Sequence, residues 1–391
     1  MTSQIAVLQR AHVPRLLTSG LIGRIPSAIA ALAATLVMRD AGLPFDRVGA
    51  AVGLFALGLA VGGPTLGRWV DRRGQPRVLV VSSLVAAVGF LTVDAVDDHW
   101  QLICVAMFVA GFATPPLEPC LRALWPDLVD DDQLDAALSL DAAAQEIVFI
   151  VGPLMVAVST AVVGPSAALW LAAALGVAGA LVFARSEPSR LWRPQPGERH
   201  WFGPLNSVGL VLLFSTLFFS GAAIGALTIT AVSYAEDTRS PGGAGLLLAV
   251  NAVGALAGAL IYGSLRWTMP HPRRLVVCCV GMCATYLTLV TIPSPPGMFA
   301  AMFATGVFLA PLLAVSFSMV GRLCDPVHVT EAFAWLVTLF TMGNAVGSPL
   351  AGLAADGGLS GSAWVAAGTT AVGLLVAVAS LRRWMTAEER T

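Results

Sequence analysis

Gly67-Arg68-Trp69-Val70-Asp71-Arg72-Arg73-Gly74-Gln75-Pro76-Arg77 packs five charges into eleven residues, and uncharged apolar sequence presses on it from both sides. Residues 48–66 before it hold no charge, and neither do residues 78–93 after it. Runs of that kind cross a bilayer as helices, because in lipid only a helix or a closed barrel satisfies every backbone N–H and C=O. The charged stretch is therefore the connection between two membrane spans.

The same pattern continues in both directions. Hydrophobic residues make up 57 % of the 391-residue chain and charged residues 12 %, and the mean hydropathy is +0.80. A soluble domain of this length cannot bury so much apolar surface. Windows of about 20 residues place helices near 13–38, 47–66, 78–96, 101–124, 136–162, 166–184, 205–234, 243–263, 275–293, 297–321, 329–354 and 363–381. The chain reads as an all-α membrane protein of twelve spans. The first run starts near Val13, is too long for the apolar region of a signal peptide and lacks a small-residue cleavage site, so no cleaved leader is expected.

Every basic residue is arginine, and placement matters more than the net charge of −1. With the N-terminus inside, 18 arginines fall in cytoplasmic segments: 10, 15, 68, 72, 73, 77, 122, 185, 190, 193, 199, 266, 273, 274, 322, 382, 383 and 390. Only Arg39, Arg47 and Arg239 fall outside, where Asp94, Asp97 and Asp98 stand instead. The positive-inside rule then puts both termini in the cytoplasm. The longest polar stretch, Arg185 to Asn206, contains Pro188, Pro194, Pro196 and Pro204 and reads as an irregular linker. It divides the chain into a bundle at 1–184, a linker at 185–204 and a bundle at 205–391. An offset of 196 residues superposes the halves: Gly58, Gly62 and Gly67 fall on Gly254, Gly258 and Gly263, Asp135 on Glu331, and Pro153-Leu154 on Pro349-Leu350. Repeated halves with a central binding site are the construction of alternating-access transporters.

The opening stretch resembles the loop 2–3 signature of the major facilitator superfamily, G-x-x-x-D-R-x-G-R-[KR]. Gly67, Asp71, Arg72 and Gly74 match; Gln75-Pro76 replaces the usual basic pair, and Arg77 follows one step late. The second copy, Gly263 to Arg274, has Trp267 where the acid would stand. With the repeat, the resemblance covers essentially the whole chain and implies two six-helix bundles related by a pseudo-two-fold axis. It further implies that Gly67, Asp71, Arg72, Gly74 and Arg77 form a cytoplasmic gate. Asp71 would then meet the N-terminus of the eleventh helix at Thr330 and Glu331, where unbonded N–H groups favour an anion. Gly152-Pro153 resembles only the core of the antiporter motif, with Val148 in place of its earlier glycine.

Arg24 stands about halfway along the first span. A charge at that depth costs about 2.5–3.5 kcal/mol even on insertion scales, so it needs a partner and a cavity. Glu118 and Glu146 are the candidate partners and, with Arg24, the candidate substrate and proton pathway; Asp141 reads as a helix-start anion. In facilitator-type folds spans 1, 4, 7 and 10 line the path, which by resemblance aims Arg24 and Glu118 at it. The second half offers Ser215, Ser220, Tyr234, Asn251, Tyr286 and Asn344 beside Phe214, Phe218 and Phe219, a mostly apolar lining suited to an amphipathic organic molecule.

The six cysteines sit in apolar runs and the five histidines have no ligand spacing, so no disulfide, metal site or cofactor is expected. No nucleophile, metal cluster or nucleotide motif suggests an enzyme. The expectation is a monomeric secondary transporter of a bacterial inner membrane that moves a small organic solute, with proton-coupled efflux as the leading mode. A proton-linked importer or uniporter of a nutrient uses the same fold, and a non-transporting membrane receptor is the reading from another class.

Overall fold

The computed structural model describes residues 2–96, 99–195, 197, 202–238, 243–265, 267–355 and 359–388. Asp97, Asp98, Pro196, Arg199, Arg239, Arg266 and Arg390, counted above in the loops, lie outside the described residues. A short α1 (Thr2–Leu8) precedes the first three spans, α2 (Val13–Asp40), α3 (Phe45–Arg73) and α4 (Gln75–Ala95). The fourth span is broken into α5 (Trp100–Phe112) and α6 (Leu117–Leu128), and α7 (Leu134–Val162) and α8 (Ser166–Ala184) complete the first bundle. The linker holds α9 (Glu187–Leu191). The second bundle comprises α10 (Val208–Thr238), α11 (Gly243–Ser264), α12 (His271–Val290), a tenth span broken into α13 (Pro295–Val307) and α14 (Leu309–Leu323), α15 (Val329–Ala355) and α16 (Leu359–Glu388). Among the described residues, twelve spans are long and apolar enough to cross a membrane.

Three differences from the hydropathy reading bear on the site. Apolar sequence ends at Leu66, but α3 continues as a helix to Arg73, because arginine is a good helix former and charge is welcome once the chain leaves the lipid. Gly74 stops it with φ +86°, a conformation that suits glycine, and Pro76 starts α4 at once. The linker is not wholly irregular, since Pro188 in the first turn nucleates α9, and the seventh span begins at Val208 after a 3₁₀ turn at Gly203–Asn206. Span 4, read as one helix, is broken at Pro115 and Pro116, with residues 113–116 outside either helix.

The repeat is visible in the packing. A Cβ at Gly58 would lie 2.3 Å from the carbonyl oxygen of Phe108, and one at Gly254 would lie 2.1 Å from that of Phe303. Gly62 and Gly258 repeat the contact against Phe112 and Val307 at 2.1 and 1.9 Å. Spans 2 and 4, like spans 8 and 10, therefore touch backbone to backbone, as small residues permit in lipid. Large apolar side chains such as Val81, Val88, Leu154, Val158, Leu353 and Leu375 point outward, as a lipid-facing surface requires.

Candidate functional site

Asp71 sits at the end of α3, 1 % exposed, against the start of α15 in the other bundle. Its Oδ1 accepts from the Thr330 N–H at 3.1 Å and its Oδ2 from the Glu331 N–H at 2.8 Å. These are donors that the first turn of a helix cannot satisfy internally, so the acid caps α15 from across the bundle interface. One turn earlier, Arg68 grips the Glu331 carboxylate with both prongs, Nε to Oε2 at 3.0 Å and Nη2 to Oε1 at 2.5 Å. A Cβ on Gly67 would lie 3.0 Å from Glu331 Cα, so this approach depends on a residue without a side chain. The gate residues predicted from the motif divide here. Helical periodicity turns Gly67, Arg68 and Asp71 toward α15, whereas Arg72 and Arg77 are exposed and make no ion pair among the described residues. Gln75, which replaces a basic residue of the signature, is fully buried and donates to the Cys120 carbonyl at 3.1 Å, tying the turn to α6.

The related position in the repeat supplies a second contact with the charges exchanged. Asp135, which the offset pairs with Glu331, belongs to the first bundle and receives Arg274 and Ser318 of the second, the latter at 2.8 Å. His271 Nε2 stands 3.4 Å from Asp135, and its Nδ1 is 2.6 Å from Glu388 of α16. Trp267, in place of the acid, donates from Nε1 to the Tyr262 carbonyl at 2.9 Å and lies under the Arg274 guanidinium at 5.5 Å. The pairing of Asp135 with Glu331 in the repeat was the sequence signal for this contact. Both contacts join the bundles on the arginine-rich side.

Beyond them lies a cavity of about 320 Å³. The first bundle contributes Arg24 and Ser27 of span 1, Leu59 and Gly63 of span 2, the broken segment from Thr114 to Pro119, and Gln145 and Phe149 of span 5. The second bundle contributes span 11 alone, through Ala334, Val337, Thr338, Thr341, Met342 and Ala345. This corrects the expected second-half lining. Ser215, Phe214, Phe218 and Phe219 border a separate crevice, Asn251 is spent on the Met302 carbonyl and Thr305, and the Tyr234 hydroxyl donates to Pro293.

The partners expected for Arg24 are also corrected. Arg24 Nη1 lies 2.8 Å from Asp141 Oδ1 and donates to Gln145 Oε1 at 3.3 Å. Asp141 and Gln145 are four residues apart and share the face of α7 that looks at span 1; Glu146 is turned about 100° away from Gln145. Glu146 is half-buried, and among the described residues it joins neither the ion pairs nor the cavity lining. Asp141 is completely buried, and its Oδ2 accepts from Arg122 Nε at 2.9 Å. Arg122 in turn pairs with Glu118 one turn away. The result is a chain, Arg24 to Asp141 to Arg122 to Glu118, of two cations and two carboxylates. Arg122, assigned to the cytoplasmic arginines from the sequence, is 2 % exposed, and its guanidinium lies 3.3 Å from the ring centre of Phe317 in the other bundle. Arg24 and Glu118, at the two ends of this network, both border the cavity, and Glu118, with its side chain 20 % exposed, is the more open of the two.

Comparison with known proteins agrees with this architecture. The chain is 30 % identical to the gallate transporter of Pseudomonas putida over 90 residues, 23 % of this chain and 20 % of that protein. It is 28 % identical to macrolide efflux protein A of Enterococcus faecalis over 102 residues, 25 % of this chain and 32 % of that one. The chain thus spans a third or less of the length of these two relatives. An uncharacterized MFS-type transporter of Sinorhizobium fredii, y4rN, is 26 % identical over 338 residues, 81 % of each chain. Among solved structures, the E. coli fucose:proton symporter FucP superposes with a TM-score of 0.73 at 15 % identity, over 94 % of this chain and 99 % of that one. A bacterial homologue of the iron transporter ferroportin gives 0.74 at 15 % identity, over 95 % and 98 %. The family model of the Major Facilitator Superfamily matches residues 16–237 and 213–390, through both bundles, and the chain belongs to that superfamily.

Proposed function

We propose that this secondary transporter exports an amphipathic organic solute in exchange for protons, by alternating access, with Glu118 as the proton site. The observation that carries the proposal is the balanced buried network whose single partly exposed carboxylate borders the cavity. A proton on Glu118 weakens its hold on Arg122 and leaves the network with a net positive charge. Because Arg122 also packs on Phe317, the charge state of Glu118 bears on a contact between the bundles. Glu146 is the alternative acid, set apart from the network. The cavity wall, mostly apolar with Ser27, Thr114, Thr338 and Thr341 among it, fits a solute with an apolar body and a few hydrogen-bonding groups.

In this reading the contacts at Asp71 and Asp135 form the closed cytoplasmic gate, both termini are cytoplasmic, the membrane is a bacterial inner membrane, and the protein acts as a monomer. The bundles at 1–184 and 205–391 rock about the cavity while 185–204 serves as tether. Macrolide efflux protein A, similar over part of its length, is a relative whose name denotes export. Inverted vesicles test the proposal: an inside-acid pH gradient should drive accumulation of a transported solute, and adding that solute should dissipate the gradient. Accumulation that occurs only with the gradient reversed identifies a proton-linked importer. Equilibration without response to either gradient identifies a uniporter.

A further inference from the structure

A second space, of about 470 Å³, opens on the outer surface of the first bundle. Its walls are α3 and α4, and its end is closed by Phe112 and Ala113, where α5 stops and the chain turns inward to put Pro115 and Pro116 at the central cavity. The groove lies where α5 ends, beside the break in span 4. It faces outward: Trp69 is 40 % exposed, Val81 61 % and Val85 41 %. At its arginine-rich end stand Arg73 and Arg77, one on each side of the Gly74 turn. The Arg73 guanidinium lies 5.8 Å from the Trp69 ring centre, and neither arginine makes an ion pair among the described residues.

We propose that this groove holds one anionic phospholipid, with its phosphate between Arg73 and Arg77 and one acyl chain along Val81, Val85 and Phe112. The occupant is fixed by charge and by medium. A groove walled by valine and aromatic side chains within a bilayer receives hydrocarbon, which excludes free phosphate. Two unopposed guanidinium groups at its mouth select a head group that carries net negative charge, since a zwitterionic one brings a cation against them. Trp69 at the same level suits the membrane interface. The bound lipid would hold the end of α3 that also carries Arg68 and Asp71, and so would bear on the contact with α15. This site is separate from the central cavity, and its test requires no knowledge of the transported solute.

The purified full chain, taken from mixed phosphatidylglycerol and phosphatidylcholine and analysed by native mass spectrometry, should retain phosphatidylglycerol with a preference of roughly 30-fold, from about 1 kcal/mol for each arginine. The pair Arg73→Gln and Arg77→Gln should bring that preference close to parity. The pair Arg382→Gln and Arg383→Gln, which removes the same charge from the same face, should leave most of it. Phosphatidylglycerol brominated in its acyl chains should quench a component of tryptophan emission that disappears in Trp69→Phe. Equal losses in the two arginine pairs would mean bulk surface charge alone and overturn the proposal. So would undiminished retention in the first pair, or quenching indifferent to Trp69→Phe.

Discussion

Asp71 and Asp141 are both buried acids with two partners each, yet they are bound by different things and should fail differently. Asp71 is held by two backbone N–H groups at a helix start, an arrangement worth up to about 2 kcal/mol when partly buried. Asp71→Asn removes the charge and turns one acceptor into a donor facing an N–H. The protein should still insert at normal abundance but turn over more slowly, and labelling of Thr338→Cys from the arginine-rich face should rise. Unchanged transport and labelling would remove this contact from the gate. Asp141 instead balances Arg24 and Arg122. Asp141→Asn leaves a buried positive charge without compensation and should lower stability by about 3–5 kcal/mol, the range for breaking a buried pair, read as an earlier thermal transition in detergent. Glu146→Gln, which strands no cation, should change that transition little. At Arg24, alanine should abolish coupled transport and lysine should keep part of it, because both contacts come from Nη1 alone, which an ammonium can replace in charge but reaches with a stem one atom shorter.

Between elements, the backbone approach of α3 to α15 is tightest at Gly67. An alanine Cβ at 3.0 to 3.1 Å from Glu331 Cα, Ala334 Cβ and the Thr330 oxygen requires a shift of a few tenths of an ångström; valine adds two carbons beyond it. Gly67→Val should therefore separate the helices, break the Arg68 and Asp71 contacts together, and raise labelling of Thr338→Cys more than Asp71→Asn does. Equal labelling in the two variants would show that the charge, and not the fit, closes this face. The same helices show what was legible in the sequence. Twelve spans and the repeat followed from hydropathy and a constant offset, because lipid allows few alternatives to a helix. The end of α3 did not, since hydropathy stops at Leu66 and helix does not. The reach of Asp71 toward Thr330 was local to a motif. The partner of Arg24 was not: Asp141 and Glu118 lie on different spans, and which of them meets Arg24 depends on how far each helix slides against the next. Asp141 and Gln145 at a four-residue spacing were the available clue, and Arg122, two residues inside the expected end of its span, was counted with the cytoplasmic arginines.

For the whole molecule, the question is whether the network of four charges moves protons or only neutralises Arg24. Glutamine at 118 keeps the volume and hydrogen-bonding capacity of a protonated glutamate and cannot ionise. If Glu118 carries the proton, Glu118→Gln should retain exchange of solute across a membrane without a gradient, since the loaded carrier still reorients, and should lose uphill transport driven by a pH gradient. If the pair is static, the variant leaves Arg122 with Asp141 alone, which Arg24 already shares, and exchange, uphill transport and thermal stability should all fall together. Glu146→Gln is the matched control, because it removes a neighbouring carboxylate that lies outside the network. Loss of uphill transport in Glu146→Gln with intact exchange would move the proton site there and leave Arg24, Asp141, Arg122 and Glu118 as structure. Gradient-driven accumulation undiminished in both variants would exclude both acids, and the coupling proposed for this cavity would be wrong.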